Sequence, residues 1–487
     1  MNRGERKTML TSRSDYTSTP VRLSVIIPVY NERFTLERIV ERVLAQEGSP
    51  GIASLQIIVV DDCSKDGSRE ILQNLAAKYP QILAAYHDKN QGKAGGIRTG
   101  ISKADGDVIL FQDADLEYDP GEYSRLLRPI LEGEADVVYG SRFLVSEYRR
   151  VLYFWHYVMN LALTTLSNIF SDLNLTDMEC CFKVFRAPLL KSIPIRSEGF
   201  GLEPEITAKI AKRRFRVYEV PISYKGRTYE EGKKITWKDG VWAFYYIIKY
   251  WLIDDCYSNQ GAEILSTMST APRFNRWMAD EIRPYLGNSV LEIGAGMGNL
   301  THLFLPRDVY IASDIDPVHL QALSSRFAGN DRVWVRKIDL GDPASFAGLE
   351  NHFETVLCLN VLEHLTDDLM GLRNIFNSLK PAGKAIILVP QGKHLFSNLD
   401  KDSGHYRRYD SKGLESRMRE AGFAIDRLFD FNRPGLIGWG KGKLRGNSTI
   451  GKMEMKAFDH CVWIFRMIDK FLPWHGLFLV AIGKKIG

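Results

Sequence analysis

Two apolar strands that end in polar turns constrain the fold of this chain more than any other feature. The first is Val108–Phe111, which runs into the carboxylates Asp113 and Asp115, one residue apart. The second is Ser289–Ile293, which runs into a glycine-rich turn. Open α/β sheets bind ligands at the carboxyl ends of their strands. Two such strand ends, far apart in the sequence, therefore predict two α/β units with one ligand site each.

The length of the chain agrees with this division, and its composition and charge indicate an ordinary globular protein. The chain has 487 residues, more than the roughly 250–300 at which a single hydrophobic core stops growing. Its composition, 45% hydrophobic and 25% charged, is typical of globular proteins. The net charge of +5 is small for this length and gives no indication of nucleic-acid binding.

The cysteines and the N-terminal segment indicate the compartment. None of the six cysteines forms a CxxC spacing, which argues against a zinc site or a disulfide framework and favours a reducing environment. Residues 1–20 are polar and contain no apolar core of signal-peptide length. We expect a disordered tail there and a cytoplasmic protein.

The first half, residues 21–255, alternates short apolar strands with helical patterns, which predicts an α/β domain. The predicted strands are Leu23–Pro28, Leu55–Val60, Val108–Phe111 and Asp136–Tyr139, and the predicted helices are Thr35–Gln46 and Gly67–Lys78.

A second alternating series occupies residues 273–487, after a stretch of small and polar residues at 256–272 that we expect to be the linker. Its predicted strands are Ser289–Ile293, Val309–Ser313, Val333–Ile338, Thr355–Leu359 and Lys384–Val389. We expect Phe478–Gly483 to close the sheet as its edge strand.

Two apolar segments need to be weighed as membrane spans. Residues 151–171 carry no formal charge and reach the length of about 20 residues that crosses a bilayer. Polar residues nevertheless recur there every four positions: His156, Asn160, Thr164 and Asn168. This stripe predicts an amphipathic helix. Residues 241–253 are aromatic-rich and too short to span. Both helices either lie on a membrane surface or pack on the protein's own core.

The carboxylate pair predicts a site for a hard divalent cation. Asp113 and Asp115 offer the oxygen ligands that Mg²⁺ or Mn²⁺ prefers. Such pairs are usually solvated turn residues, but two further polar loops, 28–32 and 61–67, follow the neighbouring strands. A glycine-rich loop at 90–96 adds flexible backbone and a cation.

With these motifs in this order, residues 21–250 resemble the family 2 glycosyltransferases of the GT-A fold, and among them the dolichyl-phosphate mannose and glucose synthases. The resemblance implies a nucleotide-diphospho-sugar donor and a polyprenyl-phosphate or glycan acceptor. It also implies that Asp113 and Asp115 hold the metal and the diphosphate, with Asp115 taking part in catalysis. The residues implied for the nucleotide pocket are Pro28, Tyr30, Glu32 and Asp62.

The resemblance extends to two basic segments. Gly140–Phe143 resembles the family's Gly-Thr/Ser-Arg turn, which implies that Arg142 contacts phosphate. The segment 227–233 resembles its Arg…Gly-Glu-Ser-Lys motif, which implies that Arg227 and Lys233 bind the diphosphate or an acceptor phosphate. Here the sequence has Glu231-Gly232-Lys233 in place of the family's Gly-Glu-Ser-Lys, so Lys234 is an alternative to Lys233.

The general base of the first site stays open. A hydroxyl acceptor needs a carboxylate to take its proton, and Asp177, Glu203 and Glu205 are candidates. A polyprenyl-phosphate acceptor is already an anion and needs none.

The second site begins with Glu292, followed by a turn that permits close backbone approach to a ligand. Its glycines are Gly294, Gly296 and Gly298. Asp314 ends the next strand, where a ribose diol would lie. A dehydrogenase would share these features. However, Asp339 after the third strand and Asn360–Leu365 after the fourth resemble the class I S-adenosylmethionine-dependent methyltransferases, over residues 270–487.

This second resemblance implies a Rossmann-like fold and S-adenosylmethionine as cofactor. It places Glu292 and Gly294 at the methionine part of the cofactor, Asp314 at the ribose and Asp339 near the adenine. Asn360 to His364 would face the transfer site. Histidine titrates near neutrality, so we predict His364 as the base, with a packing role as the alternative.

Together these features predict a two-domain α/β enzyme that transfers a sugar and a methyl group in the biosynthesis of a cell-envelope glycan. We expect it either in the cytoplasm or as a peripheral protein on the cytoplasmic membrane face. Two alternatives remain. The methyltransferase half acts on an unrelated small molecule, or one half has lost catalysis and serves as part of a membrane-docked scaffold.

Overall fold

The computed structural model describes residues 20–144, 151, 153–226, 237–253, 255–257, 260–327, 329–437 and 452–486. The chain divides into two compact units between residues 258 and 259. Each unit is built on a seven-stranded mixed sheet flanked by helices, so the predicted two-domain α/β class is confirmed. Of the predicted tail, all but Pro20 lies outside the described residues.

The first unit has the strand order β3-β2-β1-β4-β6-β5-β7. These strands are β1 Val21–Val29, β2 Ile52–Asp61, β3 Ile82–Tyr86, β4 Val108–Phe111, β5 Val137–Ser141, β6 Lys183–Arg186 and β7 Val217–Pro221. Strands β1 to β4 are mutually parallel, and β6 runs antiparallel to both its neighbours. The central strand β1 is buried on both faces, as its continuous apolar run predicts.

Eight helices of this unit lie within the described residues. They are α1 Leu36–Leu44, α2 Ser68–Lys78, α3 Gly92–Lys103, α4 Tyr123–Leu131, α5 Phe154–Ser171, α6 Ala187–Lys191, α7 Leu202–Lys212 and α8 Trp237–Leu252.

Helix α5 turns its polar stripe towards the protein. The Asn168 side chain donates to the Leu175 carbonyl at 2.7 Å and accepts from the Leu175 N–H at 3.1 Å. The buried hydroxyl of Thr164 accepts from the backbone N–H of Met178. The amphipathic pattern is therefore inverted relative to an ordinary surface helix, because the polar residues fasten α5 to the 175–178 segment.

Helices α5 and α8 both expose large apolar residues. On α5 these are Phe154, Trp155, Tyr157, Met159, Leu161 and Ile169, and on α8 they are Val241, Trp242, Phe244, Tyr245, Trp251 and Leu252. We call these residues the apolar face. The two helices pack together, with the rings of Phe170 and Trp251 stacked at 4.8 Å. Within the described ranges, neither these helices nor any other is long and apolar enough to cross a membrane.

The second unit has the strand order β10-β9-β8-β11-β12-β14-β13. The strands are β8 Ser289–Ile293, β9 Val309–Asp314, β10 Val333–Lys337, β11 Phe353–Leu359, β12 Leu379–Pro390, β13 Phe423–Phe431 and β14 Phe478–Lys485. The first five are parallel, in the doubly wound order of nucleotide-binding sheets.

The prediction that Phe478–Gly483 forms the edge strand is wrong. Strand β14 lies between β12 and β13 and is antiparallel to both. It is almost wholly buried, as its apolar sequence requires, whereas β13 mixes charged and apolar residues and is half-exposed. The more polar strand therefore occupies the edge.

The helices described in the second unit are α9 Gln260–Ser269, α10 Pro272–Ile282, α11 Thr301–Phe304, α12 Pro317–Arg326, α13 Asp368–Ser378, α14 Asn398–Asp402, α15 Ser411–Glu420 and α16 Lys452–Ile468. The stretch 256–272, expected to be a linker, thus contains helix α9.

The orientation of α5 can be tested with two neighbouring residues, one that contacts the protein and one that is exposed. Asn168→Ala removes both hydrogen bonds to Leu175 and should destabilise the first unit by about 1–3 kcal/mol. Ile169→Ala, at a side chain that is 70% exposed, should change stability by less than about 0.5 kcal/mol. Calorimetric thermal unfolding of the full chain measures both, and a larger loss for Ile169→Ala would contradict the inverted orientation.

Candidate active sites

The first site lies where the parallel strands β1, β2 and β4 end. The buried Asp62 follows β2, and its carboxylate accepts the backbone N–H groups of Gln91 and Gly92, each at 2.8 Å. The Nδ1 atom of His87 lies 2.7 Å from the same carboxylate. Asp62 therefore fastens the glycine-rich loop to the sheet and sets the start of helix α3.

Lys93, in the first turn of α3, brings two predicted site residues together. Its Nζ lies 3.0 Å from Asp113 Oδ1 and 3.2 Å from Glu203 Oε1. Burial alone would lower the pKa of Lys93, but Asp113 and Glu203 raise it well above the usual value. Lys93 is therefore a fixed positive charge beside the predicted metal ligands. The sequence indicated a cation in this loop but not which carboxylates it meets.

The residues predicted for the metal remain accessible. The Asp113 side chain is 23% exposed, and Asp115 Oδ1 accepts the backbone N–H of Glu117 at 3.2 Å. Together with Lys93, they make a mixed-charge site that can hold both a hard cation and phosphate oxygens.

The residues predicted for the nucleotide pocket flank the same edge. Pro28, the penultimate residue of β1, packs so closely on Gly96 of α3 that a Cβ at Gly96 would lie 3.0 Å from it. Tyr30 is 43% exposed. The Glu32 carboxylate accepts the hydroxyl of Thr35 at 2.8 Å, which ties it to the start of α1.

Arg142 and Asp177 form a buried bidentate pair. Arg142 Nε and Nη2 donate to the two carboxylate oxygens at 2.6 and 2.7 Å, and the Arg142 N–H donates at 3.0 Å. The guanidinium also lies over the ring of Tyr224. Both oxygens of Asp177 are thus engaged, an arrangement that suits a positioning role for this predicted base.

Two other carboxylates in this unit each have one buried oxygen that accepts no hydrogen bond from the described residues. Glu203 Oε2 and Glu179 Oε1 are buried and have no hydrogen-bond partner among the described residues. Burial, and then the charge of Glu203, raise the pKa of Glu179 to about 8. Groups perturbed in this way are typical of functional sites. Sequence reasoning missed Glu179, whose only signal was its position two residues after Asp177. The third candidate base, Glu205, is bound to Lys209 at 2.7 Å.

The predicted phosphate ligands Arg227 and Lys233, like the alternative Lys234, lie outside the described residues. Their roles stay predictions.

The second site is a glycine turn between β8 and α11. Gly294, Gly296 and Gly298 all have positive φ angles, of 71°, 55° and 76°, which L-residues rarely adopt. A Cβ at Gly294 would also collide with Val361. The turn therefore leaves exposed backbone close to the strand ends, as a nucleotide-type ligand requires.

Two carboxylates hold this turn. Glu292 is buried and accepts the hydroxyls of Thr301 and Tyr310 at 2.6 and 2.8 Å, and burial raises its pKa to about 6 despite those bonds. Asp314 accepts the N–H of Gly296 at 2.9 Å. Burial would raise the pKa of Asp314, but His319 and backbone N–H groups lower it below the usual value.

The remaining predicted residues lie at the same sheet edge. Asp339 follows β10 and is exposed. Asn360 follows β11 with φ 55°, a conformation rare outside glycine that is often found at functional sites. His364 lies in the turn after it, with its ring 4.7 Å from that of His405. Partial enclosure and His405 lower the pKa of His364.

Two family models match the chain. That of "Glycosyl transferase family 2" matches residues 24–193, which contain Asp62, Lys93, Asp113 and the Arg142–Asp177 pair. A relative that is 30% identical over 218 residues, the polyprenol monophosphomannose synthase of Mycolicibacterium smegmatis, is covered by this chain over 78% of its length. The chain belongs to glycosyl transferase family 2. The family model "Methyltransferase domain" matches residues 291–385, from within β8 to within β12. The enzyme therefore joins a glycosyltransferase domain to a methyltransferase domain.

The relatives align with the family 2 half. The undecaprenyl-phosphate mannosyltransferase of Micrococcus luteus is 29% identical over 220 residues, which are 44% of this chain and 87% of that protein. The M. smegmatis match covers 42% of this chain. Among solved structures, glucosyl-3-phosphoglycerate synthase of Mycobacterium tuberculosis, in complex with Mn²⁺, UDP and phosphoglyceric acid, is 18% identical with a TM-score of 0.38, over 48% of this chain and 80% of its own.

Two of the candidate bases, Asp177 and Glu203, should contribute differently to the stability of the first unit. Asp177→Asn leaves the buried Arg142 guanidinium without its carboxylate, which should cost about 3–5 kcal/mol. Glu203→Gln keeps the side-chain size, and Lys93 retains its ion pair with Asp113. The stability of this variant should therefore stay close to that of the unmodified chain. Thermal unfolding of both variants measures this. Equal losses of stability would show that the ion pair with Arg142 does not distinguish Asp177 from Glu203.

Proposed function

We propose that the first unit transfers a sugar from a nucleotide-diphospho-sugar to a polyprenyl phosphate. The observation that carries this proposal is the cluster of Asp113, Lys93 and Glu203 at the carboxyl ends of β1, β2 and β4. Open α/β sheets bind their ligands at this position. The acceptor class is supported by two relatives, an undecaprenyl-phosphate mannosyltransferase and a polyprenol monophosphomannose synthase.

The chemistry needs charge placed around the leaving diphosphate. Asp113 and Asp115 are the residues that would hold Mg²⁺ or Mn²⁺, which neutralises negative charge on the leaving group when bound. Lys93 adds a fixed positive charge beside them. A phosphate oxygen of the acceptor then forms the new bond to the anomeric carbon as the bond to the diphosphate oxygen breaks.

A general base is not required for this acceptor, because the polyprenyl phosphate is already an anion. This agrees with the contacts of Asp177, whose two oxygens are both held by Arg142. Glu203 and Glu179 stay available as bases if a glycan hydroxyl is the true acceptor.

The apolar face supports a lipid acceptor. Aromatic and aliphatic side chains that are about half exposed favour peripheral contact with a bilayer. A groove between α5, α7 and α8 lies on the same unit; it is lined by Ser167, Phe170, Ser171, Pro204, Ala208, Ala211, Lys212, Ile247 and Trp251. Peripheral binding of this kind would hold the unit at the membrane that contains the polyprenyl chain.

For the second unit we propose methyl transfer from S-adenosylmethionine. The positive-φ glycine turn, Asp314 and the exposed Asp339 follow successive strands in the order that cofactor requires. Asn360 and His364 lie at the end of β11, where an acceptor would be oriented for in-line attack on the methyl carbon. The acceptor we favour is the sugar added by the first unit, because one chain holds both sites. An unrelated small-molecule acceptor is the alternative.

The metal-ligand proposal predicts a specific loss of sugar transfer. Asp113→Asn and Asp115→Asn should each lower transfer to polyprenyl phosphate by about 100-fold or more, because charge stabilisation of the leaving group is lost. Glu132→Gln, an exposed partner of Arg128, is the matched control and should keep full activity. The assay uses the full chain, Mn²⁺, labelled nucleotide-sugars and polyprenyl phosphate. Undiminished transfer by both aspartate variants would contradict the assignment.

The glycine turn gives a matched test of cofactor binding. Gly294→Ala combines a left-handed backbone with a clash against Val361, and should weaken S-adenosylmethionine binding by more than about tenfold, or ~1.4 kcal/mol. Gly348→Ala carries the same kind of backbone strain, φ 75°, with no atom within 4 Å of the added Cβ, so binding should be retained. Calorimetric titration measures both, and equal affinities would rule out the turn as the cofactor site.

A further inference from the structure

A cluster of one carboxylate and two imidazoles lies beside the proposed methyl-transfer site. Glu363, His364 and His405 each offer one ligand atom, and these atoms lie within 4.8 Å of one another. His405 Nε2 is 4.0 Å from Glu363 Oε1. The rings of His364 and His405 meet edge to face at 86°.

Glu363 is the unusual member of the cluster. Its side chain is fully buried, and neither carboxylate oxygen has a hydrogen-bond partner among the residues that the structure describes. Burying a carboxylate without a partner costs several kcal/mol. A bound cation would supply the partner that the protein does not.

His405 is held in the orientation that a ligand histidine needs. Its Nδ1 lies 3.1 Å from Asp400 Oδ1, so in the neutral ring Nδ1 carries the proton and Nε2, on the side of Glu363, keeps its lone pair. Metal-binding histidines are commonly oriented by a carboxylate in this way. Asp400 is itself fixed, because it accepts from Arg408 Nε at 2.8 Å and from the Ser397 N–H at 2.8 Å.

The charges near the cluster also favour a cation. Arg408 is the nearby positive charge, and its Nε is engaged by Asp400. That pair is neutral overall, so the positive charge that an ionised Glu363 needs can come from a bound cation. His364 reaches solvent, so a ligand held here would keep positions open towards an acceptor.

We infer that Glu363, His364 and His405 bind a divalent first-row transition-metal ion, with Zn²⁺ as the reference ion. Two imidazoles and one carboxylate with open positions are a ligand set used for such ions in catalytic sites. Ligand bonds of about 2.1 Å place ligand atoms about 3–3.5 Å apart, so the cluster must contract slightly. The exposed His364 side chain can rotate to allow this, and the 4.0 Å between His405 Nε2 and Glu363 Oε1 must shorten as well.

The role of the ion rests on the proposed methyl transfer. An acceptor hydroxyl bound to the ion has a lowered pKa and loses its proton to solvent water. Its oxygen then forms the C–O bond while the C–S bond of S-adenosylmethionine breaks and the thioether leaves. His364 is in that case a metal ligand rather than the general base that the sequence predicts.

The test measures Zn²⁺ binding by the full chain after treatment with a chelator. The parent for this experiment carries Asp113→Asn and Asp115→Asn, which removes the carboxylate site of the first unit. Equilibrium dialysis should give one tightly bound Zn²⁺ per chain. Adding His405→Ala or Glu363→Gln should weaken its binding by at least about tenfold. Co²⁺ in place of Zn²⁺ should give a d–d absorption spectrum that these variants lose.

Two further variants make the result specific. His394→Ala removes a histidine of the same unit that lies beside His475 and outside the cluster, and it should bind Zn²⁺ as the parent does. Asp400→Asn keeps every ligand but loses the orientation of His405, and should weaken binding about 10–100-fold. Thermal unfolding confirms that each variant is folded.

The outcomes separate the site from the activity. Zn²⁺ bound equally by the His405→Ala, Glu363→Gln and His394→Ala chains would overturn the proposal. Zn²⁺ binding that depends on the cluster, in a chain that transfers no methyl group, would support the metal site and contradict only the proposed function.

Discussion

Both units depend on the same interaction, a buried carboxylate at a strand end that accepts the backbone N–H of a glycine in the adjoining loop. In the first unit Asp62 accepts from Gly92, and in the second Asp314 accepts from Gly296. Charge-assisted bonds to backbone N–H groups are strong and directional. Each one fixes a loop that has little stiffness of its own, and so sets the ligand edge of its sheet.

The charged side chains near these two carboxylates differ between the units. The first keeps a lysine between Asp113 and Glu203, which suits a site that handles phosphates and a hard cation. The second leaves a buried carboxylate, Glu363, without a hydrogen-bond partner in the described part of the chain. The first arrangement serves charge neutralisation in sugar transfer. The second places a proposed metal ligand, Glu363, where a methyl acceptor would lie.

The sequence predicted the elements whose pattern is unambiguous. Strand β8 has the predicted bounds, Ser289–Ile293, because a continuous apolar run between turn residues has few other solutions. Strand β13 was missed because charged residues interrupt its apolar pattern, and the edge was assigned to β14 instead. The Arg142–Asp177 pair was also not predictable as such, since its partners meet only through the pairing of distant strands. The stripe on α5 was recognised, but its direction depends on the segment it packs against.

The central claim is that the two sites act in sequence on one lipid-linked product. Mass spectrometry of the lipid product, from the full chain incubated with polyprenyl phosphate, nucleotide-sugars and S-adenosylmethionine, tests it directly. The account predicts a product that carries both a sugar and a methyl group, and no methylation of the lipid when the nucleotide-sugar is omitted. A methyl group that is incorporated equally with and without the sugar donor, or a glycosylated lipid that is never methylated, would contradict it.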